Sequence, residues 1–172
     1  MSHINIEIKA ISNNQEKIRA FLKSKHADFK GVDHQIDTYY NVAFGRLKLR
    51  EGKIEHHLIH YNRENVRGPK QSNVILYKPN LESNLKAVLT KALGILTIVD
   101  KKREIYFINN VKFHLDNVNG LGTFVEIEAI DSDGSIGKEK LNEQCNYYLG
   151  LFEIKKEDLI AESYSDLLLA KS

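Results

Sequence analysis

Apolar and polar residues alternate with a period of two along several stretches, the signature of strands with two unlike faces. Ile4, Ile6 and Ile8 interleave with Asn5, Glu7 and Lys9, and Leu47 and Leu49 with Arg46, Lys48 and Arg50. Val111, Phe113 and Leu115 interleave with Lys112, His114 and Asp116, and Val125 and Ile127 with Glu126 and Glu128. Further β-rich runs cover 57–63, 73–78 and 101–108. Gly52 and the pair Asn119-Gly120 predict hairpin turns. Helical spacing appears between these runs. Asn13 predicts a cap for a helix reaching Lys25, with Glu16 completing a capping box and Ile18, Phe21 and Leu22 as the buried stripe. A second helix is predicted after Asn80, carrying Leu81, Leu85, Val88, Leu89 and Ala92 and closed by Gly94. A third covers 138–149, with Leu141, Cys145, Tyr148 and Leu149 at helical spacing and Gly150 after it. Short helices are predicted at 156–162 and 165–170. Strands dominate and do not alternate regularly with helices, which predicts an α+β fold with an antiparallel sheet.

The polar faces carry the chemistry. Glu126 and Glu128 form a carboxylate pair on one strand, and Arg46, Lys48 and Arg50 form a row of cations on another. Residues two apart on one face are separated by roughly 6.5–7 Å, so the two carboxylates repel unless a cation intervenes. Oxygen-only ligands suit Mg²⁺ or Mn²⁺, and the guanidinium fork matches phosphate oxygens. A solvated sheet face is the ordinary fate of such strands. Against it stand the uniformly β-branched or leucine backs of these strands, the helices available to cover them, and the clustering of like charge, which cross-strand neighbours must compensate. If the sheet curls into a barrel, both charge classes line one wet interior, and a triphosphate chelating a divalent metal fits it.

Composition narrows the classes further. The 172 residues predict one domain, 1–172. With 42% hydrophobic and 28% charged residues, the chain reads as soluble and globular rather than disordered. A net charge of +2, from 25 basic and 23 acidic side chains, excludes a global basic field for nucleic acid. The lone Cys145 excludes an internal disulfide and fits a reducing, cytoplasmic setting. No signal peptide and no membrane-spanning run is read. Gly120-Leu-Gly122 leads into a strand, lacks a third glycine and is no dinucleotide fingerprint; no Walker-type phosphate loop exists. His56, His57 and His60 alternate across a strand and do not converge on a metal.

Taken in order, these residues resemble the CYTH superfamily of triphosphate tunnel enzymes, which includes class IV adenylyl cyclases and thiamine triphosphatases. Asn5-Ile-Glu7-Ile-Lys9 is similar to the family's Glu-x-Glu-x-Lys signature, with Asn5 in place of the first Glu. Asp37-Thr-Tyr-Tyr resembles the strand after the first helix, and Arg46-Leu-Lys48-Leu-Arg50 the basic strand. His60-Tyr61-Asn62-Arg63 and Gly68-Pro69-Lys70-Gln71-Ser72 resemble the Tyr-x-Arg and Lys-x-Ser segments of cyclase-like members, although Glu64 stands where those tend to have Pro. Lys101-Lys102-Arg103 resembles the basic segment opening the second half. His114-Leu-Asp116 and Gly120 through Glu128 resemble the C-terminal acidic signature, so the match runs from about residue 4 to 168.

The resemblance implies a closed antiparallel barrel of about eight strands with flanking helices and a tunnel along its axis. It implies divalent metal on Glu7, Glu126 and Glu128, with Asp116 as a further participant. It implies triphosphate contacts from Lys9, Lys48, Arg50, Arg63 and Arg103, with Lys70 and Lys78 less direct and Arg46 weaker. Lys9, Arg50, Glu7 and Asp116 become the candidate catalytic groups, Glu7 or Asp116 orienting a water. The implied partner is a small triphosphate: ATP, thiamine triphosphate or tripolyphosphate. Cyclase and organic triphosphatase chemistry share this site. An inorganic tripolyphosphatase and a non-catalytic sensor, the latter encouraged by Asn5, stay open. A homodimer is compatible with this reading.

Overall fold

The computed structural model describes residues 2–172, and among them eight strands close into one antiparallel barrel flanked by four helices. The strands are β1 (Ser2–Ile11), β2 (Asp28–Tyr40), β3 (Arg46–Glu51), β4 (His56–Arg63), β5 (Lys70–Tyr77), β6 (Ile95–Ile108), β7 (Val111–Val118) and β8 (Gly122–Asp131). Around the barrel they run β1-β5-β4-β3-β2-β6-β7-β8 and back to β1. The helices are α1 (Gln15–Ser24), α2 (Leu85–Leu93), α3 (Lys138–Leu151) and α4 (Tyr164–Lys171). None is long and apolar enough to cross a membrane.

The period-two pattern decides which face turns inward. Asn5, Glu7 and Lys9 line the interior, while Ile6, Ile8 and Ala10 pack outside with Phe113, Val125 and Ile127. Ile18 and Leu22 of α1 and Leu141 and Cys145 of α3 cover that outer layer. The fold therefore buries one apolar layer between the barrel and its helices, while the interior combines charged side chains with Tyr39, Ile59, Tyr61 and Val74. Cys145 donates from Sγ to the Ile6 carbonyl at 3.1 Å, and burial pushes its thiol up to about 12, so it packs rather than reacts.

Several boundaries differ from the pattern. Asn14, not Asn13, precedes α1; its side chain caps nothing, and Glu16 pairs with Arg19 instead of closing a capping box. The second helix starts at Leu85, because Asn80–Ser83 forms a turn, with Ser83 N–H donating to the Asn80 carbonyl at 3.0 Å. The helix expected over 156–162 shrinks to a 3₁₀ turn at Lys156–Asp158. The chain then leaves as an extended strap, whose Ile160 N–H donates to the Lys9 carbonyl at 2.9 Å. β2 and β6 are far longer than the alternation suggests and pair along their lengths. The inward face of β2 is polar at Asp33, Gln35 and Asp37, and a bulge at Gly31 shifts the register, so the usual signal is lost.

Candidate functional site

The barrel encloses a cavity of about 170 Å³ lined by carboxylates and cations. β1 and β8 supply the carboxylates. Their register sets Glu7 beside Glu128 and Lys9 beside Glu126. β3 supplies Lys48 and Arg50, β6 supplies Lys101 and Arg103, β4 supplies Arg63 and β7 supplies Lys112. Each cation is held by an acid of the protein. Arg50 donates to both oxygens of Asp37 at 2.9 and 2.8 Å, and Lys101 reaches the same carboxylate at 2.7 Å and Lys48 at 3.3 Å. Burial alone would raise the Asp37 carboxyl, but Arg50, Lys101 and Lys48 hold it well below the usual carboxylate range. Burial pushes the Lys101 ammonium down to about 7 against the pull of Asp37, with Arg50 and Arg103 adding to the push. Three cations thus share one carboxylate, an arrangement with positive charge to spare.

A second knot forms on Asp116. Arg103 donates to both its oxygens at 2.7 Å and the Tyr164 hydroxyl donates at 2.6 Å, while Arg103 also reaches Glu126 at 3.0 Å. Glu126 further faces Lys9 at 3.9 Å and His114 Nδ1 at 3.6 Å. Burial lowers Lys9 to about 8, and burial with Arg103 keeps His114 neutral, near 4. Arg63 holds Glu7, and the Asn5 amide donates to Glu128. Lys48 stands between two rings, 5.3 Å from the centroids of Tyr39 and Tyr61.

Oxygen donors that fit a hard divalent cation are present: the carboxylates of Glu7, Glu126 and Glu128, and Asn5 Oδ1, which is buried without a hydrogen-bond partner among the described residues. Burial, with Glu7, Glu126 and Glu55 nearby, raises the Glu128 carboxyl against the pull of Lys112, a tension that a cation between the acids would relieve. Among the described residues no three His, Cys, Asp or Glu side chains already converge as a metal-holding group.

Lys9, Lys48, Arg50, Arg63, Arg103, Glu7, Glu126 and Glu128 all line the cavity. Asp116 lies behind Arg103 with both oxygens engaged. Lys70 turns to the carbonyls of Ile160 and Ala161, both at 3.0 Å, and fastens the C-terminal strap. Lys78 lies exposed beyond the end of β5. Arg46 pairs with Asp166 of α4 at 2.7 Å. The lining also includes Lys101 and Lys112, each two residues from a singled-out position on the same strand face, and Glu55, for which no periodic signal exists. Glu55 sits on the β3–β4 turn, held there by Asp33, which accepts the backbone N–H groups of Lys53, Ile54 and Glu55 at 2.8, 3.1 and 3.0 Å. The turn needs Gly52: a Cβ there would lie 2.4 Å from Asp33 Oδ2. Glu55 then reaches across to Lys112 and to Arg50.

The CYTH domain family profile matches residues 3–164. A Methanocaldococcus jannaschii protein whose name carries a provisional adenylate cyclase assignment is 26% identical, the match covering 95% of this chain and 98% of that relative. The PH1012 protein from Pyrococcus horikoshii OT3 shares the fold with a TM-score of 0.73 at 23% identity, over 95% of this chain and 98% of that one. A Hippeastrum adenylyl cyclase homologue, described as revealing a dominant triphosphatase activity, shares it with a TM-score of 0.60 at 13% identity, over 98% of this chain and 95% of that one.

Proposed function

The chain belongs to the CYTH domain family, and from that premise we propose that its tunnel holds an organic triphosphate with a divalent cation, Mg²⁺ or Mn²⁺, and cleaves the phosphate chain. The observation that carries this reading is a closed interior in which Glu7, Glu126 and Glu128 cluster on β1 and β8 and Lys48, Arg50, Lys101 and Arg103 on β3 and β6. Lys48, Arg50 and Lys101 bind phosphate oxygens by exchanging Asp37 for the substrate. Arg63 and Arg103 stabilise charge that builds on the leaving phosphate. Asp116 positions Arg103 rather than meeting the substrate, because its oxygens are taken. Glu7, Glu126 and Glu128, with Asn5 Oδ1, would hold the cation, which supplies Lewis acidity at a phosphate oxygen. Glu7 accepts a hydrogen bond from the attacking water. The water's oxygen bonds to the terminal phosphorus as its proton passes to Glu7, the bond to the bridging oxygen breaks, and the organic diphosphate is the leaving group, with orthophosphate as the other product.

A second reading, favoured by the name of the Methanocaldococcus relative, is cyclisation: a ribose 3′-hydroxyl attacks the α-phosphorus and pyrophosphate leaves. The test is incubation with ATP, thiamine triphosphate and tripolyphosphate, each with Mg²⁺ or Mn²⁺ and each with a chelator, followed by resolution of products. Orthophosphate from an organic triphosphate, lost with the chelator, is the expected result. Cyclic AMP with pyrophosphate would establish the second reading. Binding without turnover would mark a sensor, and no binding at all would refute the tunnel reading.

A further inference from the structure

His114 of β7 lines the tunnel and is only 2% exposed, yet neither ring nitrogen has a hydrogen-bond partner among the described residues. An imidazole buried with both nitrogens open is unfavourable unless a ligand meets one of them. The register sets His114 beside Glu126 of β8, and Nδ1 faces Glu126 Oε2 at 3.6 Å, beyond hydrogen-bond reach. The other oxygen of that carboxylate, Oε1, takes Arg103 at 3.0 Å and faces Lys9 at 3.9 Å. Oε2 accepts no hydrogen bond among the described residues. The neighbouring acids have donors of their own: Arg63 holds Glu7, and the Asn5 amide donates to Glu128.

An open nitrogen and an open carboxylate oxygen at this separation suit a shared ion. Two donors each about 2.0–2.2 Å from one metal stand roughly 3–3.6 Å apart. A phosphate oxygen would not fill the gap, because it would meet Glu126 as one anion meets another. The nitrogen also selects the ion: Mg²⁺ keeps to oxygen ligands, whereas imidazole suits first-row transition metals. Resting on the triphosphate reading above, we propose that His114 Nδ1 and Glu126 Oε2 are ligands of the tunnel's cation, and that this cation is a first-row transition metal in preference to Mg²⁺. The ring proton then sits on Nε2. No third His, Cys, Asp or Glu side chain converges on the pair among the described residues, so the coordination shell closes only when triphosphate oxygens arrive. Metal and phosphate chain therefore bind together, each more weakly without the other.

The test is electron spin-echo envelope modulation on Mn²⁺ with tripolyphosphate and an excess of the protein, at about pH 8, where an imidazole is neutral. The expected echo carries the modulation of a directly bound ¹⁴N. Growing the natural protein on ¹⁵N-histidine is expected to replace that pattern, with no substitution to disturb the fold. His114→Gln is expected to abolish it, which separates His114 from the other imidazoles of the tunnel, His3 and His57. Tripolyphosphate binding within about twofold of the natural protein in metal-free buffer shows that the variant is folded; His114→Phe is the second substitution, judged in the same way. Calorimetry with Mn²⁺ and Mg²⁺, each with tripolyphosphate, is expected to show the preference for Mn²⁺ falling about tenfold or more in the variant, the scale of disturbing a metal ligand's surroundings. Bound Mn²⁺ without ¹⁴N modulation, modulation that survives the loss of His114, or an unchanged preference would overturn the histidine ligand and leave the triphosphate reading standing. A natural protein that binds no Mn²⁺ beside tripolyphosphate overturns the metal-dependent reading itself.

Discussion

Replacing Arg50 by alanine lowers kcat/KM for the preferred triphosphate by about 10³-fold or more, the scale of removing a preorganised charge that meets the transition state. The side chain is buried in the tunnel wall, and its fork is already aligned on a carboxylate, Asp37, at 2.9 and 2.8 Å. A phosphate oxygen pair can take that carboxylate's place with little reorganisation of the donor. The loss is expected in activity and not in folding. Asp37 keeps Lys101 at 2.7 Å and Lys48 at 3.3 Å, so no acid is left buried and alone. Steady-state kinetics beside a thermal melt checks both halves. Arg50→Lys is expected to recover only part of the rate, because an ammonium cannot offer two parallel bonds. Full activity in Arg50→Ala would remove the cation wall from the chemistry.

Asp37→Ala has the opposite signature. It takes the shared carboxylate from three cations, leaving Arg50 with Glu55 at 3.2 Å and Lys101 with no acid within bonding distance among the described residues. Asp37 is only 1% exposed, so water replaces little of what is lost. Breaking a buried charge pair from one side costs about 3–5 kcal/mol, which in a chain of this length lowers Tm by roughly 10 °C. Tripolyphosphate seated on the same cations should raise the Tm of Asp37→Ala by more than it raises that of the natural protein. Equal shifts in the two proteins would show that the ligand and Asp37 do not compete for one seat.

Much of this site is legible in the chain because strand alternation is a strict code. Once Glu7 faces inward, Asn5 and Lys9 must as well, and the same holds for Lys48 with Arg50 and Glu126 with Glu128. Barrel closure follows less directly, from apolar backs that need helices and charged fronts that need each other. What escapes the pattern is what register and turns decide. Asp37 becomes the hub of the cation wall only because β2 lies between β3 and β6, a neighbour relation that spacing does not encode. Glu55 enters the tunnel from a turn shaped by Asp33 and Gly52. Asp116 shares the inward face of Lys112 and His114, yet Tyr164 arrives from the far end of the chain and closes it off behind Arg103. Lys70 follows the same logic: the strap carrying Ile160 and Ala161 claims its ammonium, which no local pattern announces.

Metal and phosphate are expected to meet inside the barrel, between the acids of β1 and β8 and the cations of β3 and β6. Crystals grown with Mn²⁺ and tripolyphosphate, read by anomalous diffraction at the manganese edge, test it most directly. A manganese peak is expected beside Glu7, Glu126 and Glu128, with the phosphate chain alongside Lys48 and Arg50. Manganese and phosphate found only on the outer surface of the barrel, with the interior ion pairs intact, would contradict it.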